Sequence, residues 1–451
     1  MQIRATSPVD GSTLAVFEEW TGRKVLEAVE EVARAQTVWR EESLALRCEQ
    51  LGRVASLLHN DRAELARLIT LEVGKLQLEA RAEIDACIEI CEHYAEHGAA
   101  YLDDQPLGNG SLQHLPLGNL LVILPRYAPF LDTFRNVIPA LLAGNGVLLK
   151  LSTAVSQCAL AIEELFREAC EPHEILRVLV LGRERMPEVL GNPAVTAVTF
   201  SGGRTGGCRV AKLAGEQGKK VTLHLGAADP FIVLDDADLD QVIPAAVTAR
   251  FSNAGQSALA AKRFLVDAAL ADEFVSRLRT VVERDLIYGD PAKDGVQLAP
   301  LASHELRDRL HRQVFNSRGM GARVVTGCMP GEGPGAYYQA SILDWVGPGM
   351  PAYDEELFGP VAAIVRVPGQ YEAVQLSNDS AFGLGASVWS GDLRRGQAVA
   401  RQLRCGQVFV NTLPQTHPQW PYAGCRGSGF GSQLGVHGVR EFTTARVIFS
   451  T

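Results

Sequence analysis

From about Arg23 to Trp39, the apolar positions Val25, Val29, Val32 and Ala33 recur at the spacing of a helix that buries one face. The same pattern predicts helices over Ser43 to Asn60 and Asp61 to Val73, and a longer one from Leu76 to Tyr101. Ahead of them, Pro8-Val9-Asp10-Gly11 marks a turn between short strand-like pieces. After them, Asn109-Gly110 lies between short alternating runs within Leu107 to Leu115, which predicts a hairpin.

The pattern then changes period. Leu120 to Leu124 is a continuous apolar run, Phe130 to Ala143 reads as a helix, and Val147 to Lys150 is a second run. Strand, helix, strand at this spacing is a unit of a parallel sheet, whose strands are apolar on both faces because helices cover both. The alternation continues through helix Val155 to Ala169, strand Val178 to Leu181, helix Met186 to Leu190 and strand Ala197 to Phe200. A glycine-rich turn, Ser201 to Gly207, leads into a helix ending near Gly218 and the strand Lys220 to Leu225. This is the doubly wound arrangement that binds nucleotides.

A second α/β half opens at Pro230 to Leu234. It holds helix Leu239 to Phe251, strand Arg263 to Val266, helices Ala269 to Glu283 and Ser303 to Ser317, strand Arg323 to Val325, a helix near Glu372 to Asn378, and the run Gly406 to Asn411. The β-branched tail Arg446 to Ser450 has no neighbour in sequence to pair with. It is expected to join another element, with another subunit as a candidate source.

Composition narrows the class. A chain of 451 residues exceeds one ordinary core and implies two or three domains. With 47% hydrophobic and 21% charged residues it reads as a globular protein, and a formal net charge of −9 offers no footprint for nucleic acid or an anionic membrane. The start Met1 to Pro8 lacks the apolar core of a signal peptide and no run approaches bilayer length, so a cytoplasmic location is expected. Nine cysteines are scattered; Cys87, Cys91 and nearby His93 lack the second pair a zinc site needs, so no metal is expected.

The polar loop Ala249 to Phe264 carries the candidate chemistry, since loops held by rigid elements on both sides position functional groups. With Asn253, Gly255, Gln256 and Arg263 in place, it resembles the catalytic loop of the aldehyde dehydrogenase superfamily. Pro116-Leu117-Gly118, Pro139 to Asn145, Phe200-Ser201-Gly202, Leu225-Gly226 with Asp229-Pro230, Glu355 to Pro360, and Gly427-Ser428-Gly429 follow in the family's order. The wording is closest to bacterial succinate semialdehyde dehydrogenases. The resemblance implies a Rossmann-type cofactor domain (1–104 and 119–227), an α/β catalytic domain (228–437) and a small β oligomerisation arm (105–118 and 438–451). It also implies NAD or NADP as cofactor and a homodimer or homotetramer.

In that family a cysteine thiolate attacks the aldehyde, an asparagine amide holds the oxyanion, and a glutamate activates water. Here Ala258 stands at the cysteine position, Tyr127 in Pro125-Arg126-Tyr127-Ala128-Pro129 at the asparagine position, and His224 in His224-Leu225-Gly226-Ala227 at the glutamate position. Cofactor features are better kept. Lys150 matches the adenosine-ribose lysine, Glu356 the nicotinamide-ribose carboxylate and Phe358 the aromatic beside it, while Gly202 and Gly207 keep the turn and helix start for the pyrophosphate. Gly203 replaces a serine or threonine.

Tyr127 and His224 are therefore candidate acid–base groups, Arg126 a holder for an anionic substrate group, Ser257 and Asn253 pocket candidates, and His417 and Cys425 rim residues. Three functions follow from this set. One is a repurposed NAD(P)-binding oxidoreductase acting non-covalently on a small carbonyl or imine. The others are a catalytically silent homologue serving as a binding or assembly subunit, and an NAD(P)-dependent semialdehyde dehydrogenase.

Overall fold

The computed structural model describes residues 2–450. The first run of alternating elements forms a six-stranded sheet in the order Gly429–Phe430, Lys220–Leu225, Val195–Gly202, Asn119–Ile123, Gly146–Lys150, Leu176–Val178. Every pairing is parallel except the edge made by Gly429–Phe430. From Asn119–Ile123 the chain builds outward on one side, then returns to build on the other. Loops at the carboxyl ends on either side of that reversal diverge and leave a crevice, the usual ligand position in such sheets.

The helical opening comprises Gly22–Trp39, Leu44–Asn60, Arg62–Val73 and Gln77–His97. Thr21 and Ser43 start the first two by accepting the N–H groups of Lys24 and Leu46. Gly74 ends the third in the left-handed region at φ 83°. Buried Trp39 donates its indole N–H to the carbonyl of Leu141 at 2.9 Å, tying this layer to the helix Pro129–Leu142 that covers the sheet.

A separate core around Phe231, Phe264 and Leu343 belongs to a seven-stranded sheet. Its order is Arg323–Thr326, Ser341–Asp344, Val361–Val367, Arg263–Asp267, Pro230–Val233, Gly385–Trp389, Gln407–Val410, antiparallel only at the Arg323–Thr326 edge. Ser341–Asp344, Val361–Val367 and Gly385–Trp389 are strands that the apolar pattern did not separate from their surroundings. The strand expected over Val178 to Leu181 is Leu176–Val178. Its register against Val147–Leu149 decides this, because the neighbouring strand stops at Lys150 and leaves Leu179 to Leu181 as buried loop.

The tail strand finds a partner within its own chain. Thr443–Phe449 pairs antiparallel along Gly110–Pro116, which on its other edge pairs with Gln105–Leu107 through the predicted hairpin. Val447, Ile448 and Phe449 remain exposed on this three-stranded sheet. Among the described residues no helix is long and apolar enough to cross a membrane, and no cluster of three or more His, Cys, Asp or Glu is placed to hold a metal.

Candidate active site

Strand ends of the first sheet meet a loop of the second. Pro125, Arg126 and Tyr127 follow Asn119–Ile123, Ser152 follows Gly146–Lys150, Gly203 follows Val195–Gly202, and Gly226 follows Lys220–Leu225. Facing them is the segment 252–262, between helix Leu239–Phe251 and strand Arg263–Asp267. Two cavities lie at this junction. An outer one of about 260 Å³ is lined by the strand ends together with Glu356 and Phe358. An inner one of about 380 Å³ is lined by the 252–259 loop and the helix starts at Lys75 and Leu131. Tyr127 and Ala258 are the residues that line both.

The loop is held rigidly by its own sequence. Asn253, Ala254 and Gly255 all adopt positive φ (50°, 51° and 72°), a conformation costly for the first two and open only to glycine at the third. A Cβ on Gly255 would stand 2.3 Å from Arg250 Nη2 and 2.5 Å from the Gly359 carbonyl. Fully buried Arg250 donates to the carbonyls of Ala261 and Gly255 at 2.8 and 2.7 Å. Lys262 Nζ donates to the carbonyls of Ser257 and Ala258 at 2.8 and 2.5 Å. Burial brings its ammonium down to about 8, although Glu356 and Asp229 oppose that shift.

Asn253 works as a brace. Its side-chain amide donates to the carbonyls of Tyr127 and Gln256 at 3.1 and 3.0 Å, so it fixes the backbone of the tyrosine and does not project as a free catalytic group. Ser257 lines the inner cavity, and its Oγ accepts the Leu259 N–H at 3.2 Å. Tyr127 is packed edge-on to Phe358, ring centres 5.0 Å apart. Burial, aided by Asp132, raises its phenol well above the ordinary range, so the hydroxyl stays protonated.

His224 is not among the residues lining either cavity. Burial first, then the charge of Arg135, lowers its imidazole to about 3, and its Nε2 has no hydrogen-bond partner. The ring is therefore neutral at physiological pH. Arg126 is the residue expected to hold an anionic substrate group. It follows the strand end into the outer cavity, where its Nη1 donates to the Ala302 carbonyl at 3.0 Å.

The outer cavity is floored by glycines and a helix start. Gly203 immediately precedes helix Arg204–Glu216, whose first turn has no side-chain cap, and a Cβ on Gly203 would meet nothing within 4 Å. At Gly207 a Cβ would fall 2.5 Å from Leu225 Cδ2, so glycine lets this helix lie close on the sheet. Glu356 reaches across from the second sheet, accepting the Ala227 N–H at 3.1 Å, with Lys262 Nζ 3.8 Å away. A Cβ on Gly226 would sit 2.2 Å from Glu356 Oε2, so only glycine admits this carboxylate. Lys150 is buried behind the cavity rim formed by Ser152. Its Nζ donates to the Leu151 carbonyl, and burial, only partly countered by Glu184, lowers it to about 8.

The inner cavity exposes groups that the motifs did not single out. Arg135 and Asp132 form a buried ion pair, and the guanidinium lies 4.4 Å over the Tyr422 ring. Lys75 pairs with Glu83, whose Oε1 accepts the N–H groups of Phe130 and Leu131 at 2.9 and 3.1 Å. Glu79 Oε1 accepts the Asn253 N–H at 2.5 Å. The signal was available as Asp132 and Arg135 at i,i+3, and Lys75, Glu79 and Glu83 at i,i+4 and i,i+8. Charges on one helix face are more often solvated, so spacing alone did not place them inside. His417 packs on Trp420, ring centres 4.5 Å apart, and Cys425 Sγ donates to the Gly383 carbonyl; neither lines the two cavities.

A doubly wound sheet that offers a glycine cradle across a cleft from a second α/β sheet defines the class, a two-sheet protein of the dinucleotide-binding type. Residues 1–448 match the model of the aldehyde dehydrogenase family, and the chain belongs to that family. An NADP(+) succinate-semialdehyde dehydrogenase of Deinococcus radiodurans is 40% identical over 98% of this chain and 93% of that protein. The NAD(P)+ succinate semialdehyde dehydrogenase of Escherichia coli K12 is 36% identical over 98% and 96%. The crystal structure of the succinic semialdehyde dehydrogenase of Streptococcus pyogenes with NADP+ superposes with a TM-score of 0.96 at 31% identity, covering 99% of both chains.

Proposed function

We propose that this chain is an NAD(P)-binding oxidoreductase that acts on a small carbonyl or imine compound without a covalent enzyme intermediate. Ala258 offers no nucleophile at the position where the family resemblance expects a thiol. The observation that carries the reading is that Tyr127, a protonated donor, separates the outer cavity from the inner one.

The outer cavity suits a nicotinamide dinucleotide, since Gly203 borders open space at the helix start and Gly226 leaves room for the Glu356 carboxylate. Gly202, Gly207 and the helix start they frame would hold the pyrophosphate, Glu356 and Phe358 the nicotinamide end, and Lys150 the adenosine end. A cofactor bound there supplies the hydride. Tyr127 supplies the proton, its O–H bond breaking as the carbonyl oxygen takes up the electron pair of the C=O π bond, and solvent then restores the phenol. An alkoxide is a stronger base than phenolate, so even a phenol raised by burial donates in this direction. His224, neutral beside Arg135 and off both cavities, does not carry the proton.

Single-turnover oxidation of NADH or NADPH by small aldehydes tests this. Tyr127→Phe is expected to slow it by about 10²- to 10⁴-fold. Absence of NAD(H) and NADP(H) binding by calorimetry would overturn the proposal. The identity to the Deinococcus radiodurans protein favours a second reading, an NAD(P)-dependent semialdehyde dehydrogenase working through another group. A burst of reduced cofactor with succinate semialdehyde would decide for it. We also infer that the three-stranded arm pairs copies of the chain, because its edge strand exposes Val447 and Phe449 on one face and Ile448 on the other.

A further inference from the structure

Lys75, Glu79, Glu83, Asp132 and Arg135 line the inner cavity, so carboxylates outnumber cations there. Both cations are already engaged, Lys75 by Glu83 and Arg135 by Asp132. Glu79 spends one oxygen on the Asn253 N–H, and its other oxygen has no donor. Asp132, only 1% exposed, also keeps one oxygen without a donor, as does the side-chain carbonyl of Asn253. Against these acceptors, the lining side chains leave a single buried donor unpartnered, Arg135 Nε. Buried acceptors without donors are costly and rare, and a ligand that brings donors relieves them.

We propose that the inner cavity selects carbonyl compounds whose far end carries a hydrogen-bond donor, an ammonium group above all, and that Asp132 sets this preference by occupying Arg135. A substrate ending in a carboxylate would meet Glu79 and Asp132 and find both nearby cations taken. The substrate class is thus an open-chain aminoaldehyde, in contrast to the succinate semialdehyde in the names of the relatives. The inference rests on the reading that the inner cavity receives the carbonyl compound, but it concerns recognition and not the reaction.

The test therefore measures binding without cofactor. Butylammonium, 1-butanol and butyrate are compared on the full chain by ligand-observed NMR, in parallel with NADPH consumption using 4-aminobutanal and succinate semialdehyde. Butylammonium is expected to bind roughly tenfold or more tighter than butyrate. Asp132→Asn frees Arg135 and should raise butyrate affinity by roughly tenfold, whereas Glu79→Gln, which leaves the Arg135 pair intact, should weaken butylammonium alone. Butyrate binding tighter than butylammonium to the unmodified chain overturns the inference whether or not either variant folds, and so does an unchanged preference in both variants. Preferential butylammonium binding without turnover of either aldehyde leaves the inference standing and removes the proposed reaction. Turnover that favours succinate semialdehyde does the reverse.

Discussion

In the outer cavity the recognition surface is backbone: Gly202, Gly203 and Gly226 at strand ends, and the uncapped start of helix Arg204–Glu216. In the inner cavity it is side chains, Lys75, Glu79 and Glu83 from one helix and its approach, Asp132 and Arg135 from another. The two share a wall at Tyr127 and Ala258 yet are made by different means. A backbone cradle survives substitution as long as glycine stays where a Cβ would intrude. A charged wall is rewritten by single residues, because each carboxylate commits or releases a cation.

Breaking a buried charge should have the largest effect. Arg135→Ala leaves Asp132 buried without its cation, and an unfolding loss of about 3–5 kcal/mol is expected by denaturant titration. A loss below 1 kcal/mol would mean that water already reaches the pair.

On the backbone side, Gly255→Ala adds a Cβ at positive φ against Arg250 and Gly359, with an expected cost of about 3 kcal/mol. Gly226→Ala, which pushes on Glu356 Oε2, should cost about 1–3 kcal/mol and weaken NAD(P) binding, while butylammonium binding in the inner cavity is left as it was. If both ligands weaken together, the cavities are not independent.

A smaller effect is expected from His224. Its imidazole titrates near 3 in the folded chain against an ordinary 6.5, so between those values the unfolded chain holds the extra proton. Stability is full above about 6.5 and falls as pH drops towards 3, at no more than about 1.4 kcal/mol per pH unit. His224→Gln should flatten acid melting curves over that window, and parallel curves for the two proteins would rule out a buried neutral ring. Smallest is Ala258→Cys, whose thiol replaces a methyl at the edge of both cavities. Stability should change by less than about 0.5 kcal/mol. No burst with aldehydes is expected, since Tyr127 and His224 remain; a burst would show that the thiol alone separates this chain from its relatives.

Much of the fold was legible residue by residue. Helix Leu239–Phe251 and strand Lys220–Leu225 fall where the apolar period places them, and the expected hairpin forms, but it turns on Gly108-Asn109, one residue before the Asn-Gly pair. Local pattern was less informative where pairing sets the boundary. Leu179 to Leu181 are as apolar as the strand before them but lie beyond the end of their neighbour, and Gly385–Trp389 becomes a strand only between Pro230–Val233 and Gln407–Val410. Tyr127, His224 and Ala258 could be picked out from motifs, but their relation could not. Tyr127 and Ala258 share a wall, while His224 lies off both cavities beside Arg135.

The sequence by itself determined the doubly wound order, the glycines at the strand ends and the presence of alanine at 258, because each depends on local period or on a residue type at one position. Only the tertiary structure decided that Arg126 serves the outer cavity, that the tail pairs within its own chain, and that Asp132 neutralises Arg135 beside an unpaired Glu79. Those facts arise from burial and from which charges meet, and both depend on elements far apart in the chain packing against one another.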